Sequence, residues 1–291
     1  MTSVADFIKL PKADFHSTLN FGMRYSSYVT WAGFYIPDFP VNSADISKEL
    51  KKEIEEYTFL RLGCQDDVQK LIFLSISESL GDNIKQIEGA INIELLSRYG
   101  SVSSIAELLQ AAKQKYKDQL ELSSFLSINS DTADKKTLAL AHEFLNSGCF
   151  NGLYIYGKTL FEQPQNFKQI ADSASLKNLN LKINAGKSSL QKLSELFKTF
   201  TPQTIVQADS SAGNKEILSV LKQEKIKIIL TPGATAEQKA QILRAFLDDG
   251  IRCALGTKSI LLFNKSISQF ASELCNTKLF TKEEMTKIVS Y

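Results

Sequence analysis

Short apolar runs alternate with longer segments of helical periodicity along most of the chain. The short runs have the length of buried strands, and the longer segments repeat apolar residues at the spacing of amphipathic helices. Alternation of this kind is typical of parallel strands that are joined by crossover helices. The pattern predicts eight strands, at residues 12–18, 90–95, 120–128, 152–156, 179–183, 204–208, 226–230 and 252–255.

Helical segments lie between these strands and after the last one. They are predicted at residues 47–60, 66–87, 104–116, 131–145, 165–175, 265–275 and 282–290, with a further helix before each of the last three strands. Eight strands with intervening helices predict a single (β/α)₈ TIM barrel with extra N- and C-terminal helices. The chain has 291 residues, a normal length for one such barrel, so we expect one domain over residues 1–291.

The stretch 21–39 is rich in aromatic residues, and Pro37 lies near its end, so we expect that end to be irregular. Three roles are open for its aromatic side chains: a lid over a ligand, ordinary core, or a surface that binds a partner. The side chains in question are Trp31, Phe34, Tyr35 and Phe39.

Composition narrows the possible partners and the cellular compartment. Lys and Arg number 34 against 32 Asp and Glu, and the two signs are interleaved, which favours neither nucleic acid nor a membrane surface. The chain has no apolar run of the roughly 20 residues that a membrane helix needs, and its N-terminus lacks the pattern of a signal peptide. Its four cysteines are widely spaced and form no zinc-binding motif. We therefore expect a cytoplasmic protein with reduced thiols.

Candidate chemistry begins in the first predicted strand, which carries His16 and Thr18. Residues two apart on a strand point to the same side, so a second histidine at position 18 would direct two imidazoles at one metal ion. The segment around them, Leu-Pro-Lys-Ala-Asp-Phe-His-Ser-Thr-Leu at residues 10–19, resembles the start of the adenosine deaminase family, which is part of the metal-dependent amidohydrolase superfamily.

Later segments resemble the same family in order and spacing. Residues 92–95 are similar to its Tyr-Xaa-Glu-Xaa-Arg, residues 151–157 to Gly-Xaa-Asp-Leu-Ala-Gly, residues 181–187 to His-Ala-Gly-Glu, residues 204–208 to Arg-Ile-Gly-His-Gly, residues 230–233 to Cys-Pro-Thr-Ser-Asn, and residues 255–259 to Thr-Asp-Asp-Pro. The resemblance implies a barrel built for metal-dependent purine deamination. It also implies that Gly157 is the glycine that approaches the purine.

Most of the metal-binding and catalytic residues that the resemblance implies are replaced by other residue types in this chain. Of the metal ligands only His16 remains, and the other positions hold Thr18, Asn184, Gln207 and Lys258, while Lys187 replaces the glutamate that transfers protons and Ser259 an aspartate. Catalytic zinc normally has three ligands drawn from His, Cys and carboxylate, and a lysine ammonium repels a cation. Without a metal-activated water and a carboxyl, deamination loses both of its chemical requirements.

We therefore predict a pseudoenzyme that keeps a binding or regulatory role and needs no cofactor. Two alternatives stay open: an active purine deaminase with a non-standard zinc site, and a scaffolding barrel. We expect His16 to be a hydrogen-bonded residue of the barrel mouth, and His142 to be an ordinary helix residue.

Lysines at the strand ends predict a cationic barrel mouth. Lys158, Lys187 and Lys258, with Gly157, are the candidates for binding a nucleoside, a nucleotide or another anionic small molecule, and another protein is a further possible partner. The plainer interpretation is that the three lysines project separately into water.

Overall fold

Eight parallel strands form one sheet in the order β1 to β8 in the computed structural model, which describes residues 2–33, 48–186 and 190–290. The strands are β1 (Lys12–Thr18), β2 (Ile84–Asn92), β3 (Glu121–Asn129), β4 (Gly152–Tyr156), β5 (Asn180–Asn184), β6 (Thr204–Val206), β7 (Lys227–Leu230) and β8 (Cys253–Leu255).

The first and last strands meet through the backbone next to Lys258. The Lys258 N–H donates to the carbonyl of His16 at 2.7 Å, and the Thr18 N–H donates to the carbonyl of Lys258 at 2.8 Å. A parallel bridge joins Ser17 to Lys258 at the same place. The sheet therefore curls into a nearly closed barrel, and the predicted (β/α)₈ TIM barrel is confirmed.

Helices surround this sheet and extend the chain at both ends. Within the described residues they are α1 (Val4–Ile8), α2 (Tyr25–Ala32), α3 (Lys48–Arg61), α4 (Gln65–Gly81), α5 (Ile93–Tyr99), α6 (Val102–Tyr116), α7 (Lys135–Asn146), α8 (Thr159–Glu162), α9 (Gln165–Leu176), α10 (Leu190–Thr199), α11 (Lys215–Gln223), α12 (Ala236–Asp248), α13 (Ile260–Phe263), α14 (Ile267–Asn276) and α15 (Lys282–Val289). None of these helices is long and apolar enough to cross a membrane.

The region around β2 corrects the predicted boundaries. Helix α4 ends at Gly81, and the next turn places Asn83 at a positive φ of 55°, so residues 84–87 begin a strand where a helix was predicted. At the other end, the Asn92 side chain accepts a hydrogen bond from the Glu94 N–H and starts α5, where strand was predicted. Apolar residues at Ile84, Ile87 and Ile91 fit either period, which is why the sequence pattern failed there.

The N-terminal aromatic stretch contains a helix that the sequence pattern did not predict. Helix α2 ends at Gly33, whose φ of 73° is the left-handed conformation that favours glycine at a helix end. Tyr28 is buried and its hydroxyl lies 2.7 Å from Thr58 Oγ1, and Trp31 is mostly buried as well. These two side chains pack in the core, whereas the predictions for Phe34, Tyr35 and Phe39 lie outside the described residues.

Charged residues occupy the barrel interior below the strand ends. Lys182 is fully buried, forms an ion pair with Glu88, donates to the carbonyl of Phe15 at 2.7 Å and lies 3.9 Å from the ring centre of Phe125. Lys227 is also paired with Glu88, at 3.7 Å. Three strands are thus linked by one carboxylate inside the barrel.

Candidate functional site

The carboxyl ends of the strands enclose a small polar cavity of about 110 Å³, called here the inner cavity. In TIM barrels this end of the sheet is where active sites lie. Its lining includes His16, Thr18, Asn92, Ser127, Tyr154, Tyr156, Asn184 and Lys258. The structure therefore brings together His16, Thr18, Asn184 and Lys258 from β1, β5 and the residues after β8, as expected from the sequence.

His16 is buried in the wall of this cavity with 1% of its surface exposed. Neither ring nitrogen has a hydrogen-bond partner in the part of the chain that the structure describes, so the predicted hydrogen bond is not seen there. The ring meets Tyr154 edge to face, with centroids 4.5 Å apart. Burial, and then the charges of Lys182 and Lys258, hold the pKa of His16 well below its usual value, so the imidazole is neutral.

A chain of hydrogen bonds runs from Lys258 across the strand ends. The Lys258 ammonium donates to Gln207 Oε1 at 2.8 Å, and the Asn184 amide donates to the same oxygen at 3.1 Å and to the Tyr154 hydroxyl at 3.0 Å. Gln207 and Lys258 both have left-handed backbones, with φ of 58° and 60°. Such backbones are unfavourable outside glycine and cluster at functional sites in proteins.

A second and larger space, the outer groove, lies beside the inner cavity and has a volume of about 570 Å³. Lys158, Phe161, Glu162 and Lys192 line it, with Asn184 and Gln207 at the edge shared with the hydrogen-bond chain. Lys192 forms an ion pair with Glu162 at 3.5 Å, and Lys158 is exposed. Carboxylates therefore accompany the lysines along this groove.

Gly157 lies in the outer groove and its backbone requires a glycine. Its φ is 110°, and an added Cβ would lie 2.9 Å from Asn129 Oδ1. Of the predicted anion-binding residues, the structure places Gly157 and Lys158 in the outer groove and Lys258 in the inner cavity. Lys187 lies outside the described residues.

Comparison with known proteins also finds a resemblance to deaminases. No protein-family model matches the chain. A protein of Treponema pallidum named "Putative adenosine/adenine deaminase" is 25% identical over 290 residues, which is 97% of each chain. The resemblance to the adenosine deaminase family is confirmed.

Two solved structures of Arabidopsis proteins share the fold of this adenosine-deaminase-like chain. The apo N6-methyl-AMP deaminase of Arabidopsis thaliana is 16% identical with a TM-score of 0.77, covering 99% of this chain and 92% of its own. Arabidopsis ADAL complexed with GMP is 16% identical with a TM-score of 0.76, covering 97% and 91%. At this identity the likeness concerns the fold.

Among the described residues, possible zinc ligands are few at the inner cavity, where Glu55 supplies the one carboxylate of the lining. His16 is the one imidazole there, and around it stand the hydroxyl of Thr18, the amides of Asn184 and Gln207, and the ammonium of Lys258. No group of three or more His, Cys, Asp or Glu that could hold a metal occurs among residues 2–33, 48–186 and 190–290. Gln207 Oε1 already accepts a hydrogen bond from the Lys258 ammonium, so the positive charge next to this oxygen is that of a lysine.

Two tyrosines of the site were not singled out from the sequence. Tyr154 and Tyr156 lie two residues apart on β4, stack with ring centroids 5.6 Å apart, and both line the inner cavity. Their spacing was the available signal, since residues two apart on a strand share a face. Burial raises the pKa of both hydroxyls, and for Tyr156 the nearby Tyr154, Glu55 and Glu94 add to the rise, so both stay protonated.

His142 lies away from this site, on α7, with Nδ1 3.3 Å from Ser173 Oγ. It is a helix residue, as predicted.

Proposed function

We propose that this adenosine-deaminase-like chain does not deaminate purines through a metal and instead binds a purine nucleotide at the barrel mouth. The absence of metal-dependent deamination is supported by the hydrogen bond of 2.8 Å from the Lys258 ammonium to Gln207 Oε1. It gives the centre of the site a fixed positive charge supplied by the protein.

Among the described residues, the inner cavity has no set of ligands for a metal that would activate water, and the one carboxyl of its lining is that of Glu55. Hydrolytic deamination needs a water activated near neutral pH and a group that transfers protons, which in such enzymes are supplied by a metal and a carboxyl. His16 is neutral but buried beside two lysine charges, and Tyr154 holds its proton because burial raises its pKa. Asn184 and Gln207, which continue the hydrogen-bond chain, are amides, and amides neither accept nor release protons at neutral pH.

The outer groove has the size and chemistry for a nucleotide. Its volume of about 570 Å³ falls within the range of small-molecule sites, whereas the inner cavity of about 110 Å³ is far smaller. Lys158 and Lys192 supply ammonium groups for a phosphate, and Tyr156 and Phe161 supply apolar surface for a base. The GMP complex of Arabidopsis ADAL supports this choice of ligand.

The negative half of the proposal is tested by metal content and ammonia release. We expect the chain to bind no zinc and to release no ammonia from adenosine, AMP or adenine, with or without added zinc. A variant that restores histidines and aspartate should gain stoichiometric zinc, because its four new side chains surround His16. The substitutions are Thr18→His, Asn184→His, Gln207→His and Lys258→Asp. Zinc-dependent ammonia release by the unaltered chain would overturn the proposal.

The binding half is tested by calorimetric titration with GMP, IMP and AMP. An exposed ion pair is worth about 0.2–1 kcal/mol, so Lys158→Gln and Lys192→Gln should each weaken binding roughly two- to fivefold. Lys198→Gln is the matched control, because Lys198 is exposed on the same helix as Lys192 and does not line the groove. Equal affinity of all three variants, or no heat with any nucleotide, would reject a nucleotide site there.

A further inference from the structure

A third space lies on the outside of the helical ring, away from the barrel mouth. It is a groove of about 590 Å³ between α2, α4 and α6, called here the helix groove. None of its described lining residues lines the inner cavity or the outer groove. Its volume lies within the range of small-molecule sites.

Aromatic rings form the walls of the helix groove. Trp31, Phe73 and Tyr116 line it, one from each of the three helices. Phe73 and Tyr116 meet edge to face with centroids 5.7 Å apart. A flat ring can therefore stack or pack edge-on against a prearranged aromatic surface.

The charged groups of the helix groove are both ammonium groups. Lys70 and Lys115 line it, and no carboxylate is present among its described lining residues. The Lys115 ammonium lies 4.2 Å from the ring centre of Phe73 and 5.2 Å from that of Tyr116, and Lys70 has only a long contact of 3.9 Å with Asp67. The Lys115 ammonium therefore lies beside aromatic rings without an ion pair in the described chain, whereas Lys70 is exposed and has Asp67 as a distant partner.

The indole of Trp31 adds a buried donor to the same groove. Trp31 has only 8% of its surface exposed, and its Nε1 has no hydrogen-bond partner among the residues that the structure describes. Buried donors are nearly always paired, so an indole N–H of this kind is unusual unless a ligand or solvent accepts from it.

We propose that the helix groove binds an aromatic anion, meaning a planar ring system that carries a carboxylate, sulfonate or phosphate. The rings of Trp31, Phe73 and Tyr116 pack against the planar part, and the ammonium groups of Lys70 and Lys115 receive the negative charge. A neutral aromatic compound would pack against the rings but would not interact with the lysine charges. An aliphatic anion would interact with the charges but would not pack against the rings. The combination sets the class of ligand.

Trp31 makes this proposal directly observable, because it is the single tryptophan of the 291-residue chain. The nitrogen–proton correlation spectrum therefore contains one indole signal. Titration of the full-length protein with anilinonaphthalene sulfonate, an aromatic anion, should shift that signal saturably. Phenylnaphthylamine, which lacks the sulfonate, should shift it only weakly. An unmoved indole signal, or equal affinity for the two probes, would overturn the proposal.

Substitutions separate the helix groove from the barrel mouth. Lys115→Gln should weaken binding of the sulfonate about two- to fivefold, the usual value of an exposed charge pair, and Lys70→Gln with Lys115→Gln should weaken it further. Lys117→Gln is the control, since Lys117 is exposed two residues away and does not line the groove. Ser77→Phe, at an exposed position in the groove, should block the probe by filling space.

The two proposals can fail independently. Lys192→Gln should leave the indole titration unchanged, and Lys115→Gln should leave nucleotide binding at the mouth unchanged. If Lys115→Gln and Lys117→Gln bind the sulfonate with the affinity of the unaltered protein, the helix groove is not the binding site.

Discussion

The buried pair of Lys182 and Glu88 allows a quantitative test of how charges are held inside this barrel. Breaking a buried ion pair from one side commonly costs about 3–5 kcal/mol, because the remaining charge stays unpaired. Lys182 can avoid that cost by losing its proton. Burial lowers its pKa from 10.5 to about 8 even though Glu88 opposes the shift.

The lowered pKa sets an upper limit on the electrostatic loss in Glu88→Gln. Near pH 7 the native Lys182 is about one pH unit below its pKa, so deprotonation costs only about 1.4 kcal/mol. The contact of Lys227, whose side chain is 24% exposed, with Glu88 at 3.7 Å adds at most about 1 kcal/mol. We therefore expect Glu88→Gln to lower the free energy of unfolding by at most about 2.4 kcal/mol near pH 7, less than the usual cost.

The same reasoning predicts how this loss changes with pH. A lysine whose pKa is lowered on folding gives up its proton in the native state first, so its contribution to stability rises with pH between about 8 and 10.5. Above about pH 8 the native Lys182 is already largely neutral, so removing Glu88 should cost less than about 1 kcal/mol near pH 9.

Urea unfolding at both pH values measures the effect. Glu121→Gln is the matched control, because Glu121 is exposed at the start of β3. A loss of more than about 3 kcal/mol near pH 7, or one that does not shrink near pH 9, would refute the idea that Lys182 escapes by deprotonation.

Two further predictions concern groups next to the inner cavity. Burial raises the pKa of Asp14 from 3.8 to about 6, so its contribution to stability falls as pH rises through that window. Asp14→Asn should remove this fall and raise stability by about 1–3 kcal/mol near pH 7 in thermal unfolding, and an unchanged pH profile would contradict this. Lys258→Met should raise the pKa of His16 by removing one of the charges that lower it. Proton NMR titration can follow this in a chain with only two histidines, with the signal of His142 as the internal control.

Local sequence was sufficient where one periodicity dominated. Strands β1 and β4 occupy the predicted residues. The reason is plain for β4, a short apolar run bounded by turn residues, whereas β1 contains mostly polar residues. It failed at residues 84–87, where buried isoleucines fit a helix as well as a strand, and at α2, which lies in an aromatic stretch without a clear period. These boundaries depend on which neighbouring element covers each apolar face, and that is a tertiary property.

The composition of the candidate site was also predictable, while its arrangement was not. His16, Thr18, Asn184 and Lys258 do meet at one cavity, because parallel strands bring their carboxyl ends to one edge. The tyrosines at 154 and 156 were missed because aromatic side chains on a strand more often belong to the core.

The sequence by itself determined the barrel, through the period of its apolar residues, and the residue types that replace the expected metal ligands. Only the tertiary structure decided what those replacements do. Lys258 donates to Gln207, which is 51 positions away, and Lys158 lines a different space from Lys258. Both ring nitrogens of His16 are buried without a partner in the described chain. The reason is physical: side-chain hydrogen bonds between strands depend on barrel closure and backbone angles, which local sequence does not specify.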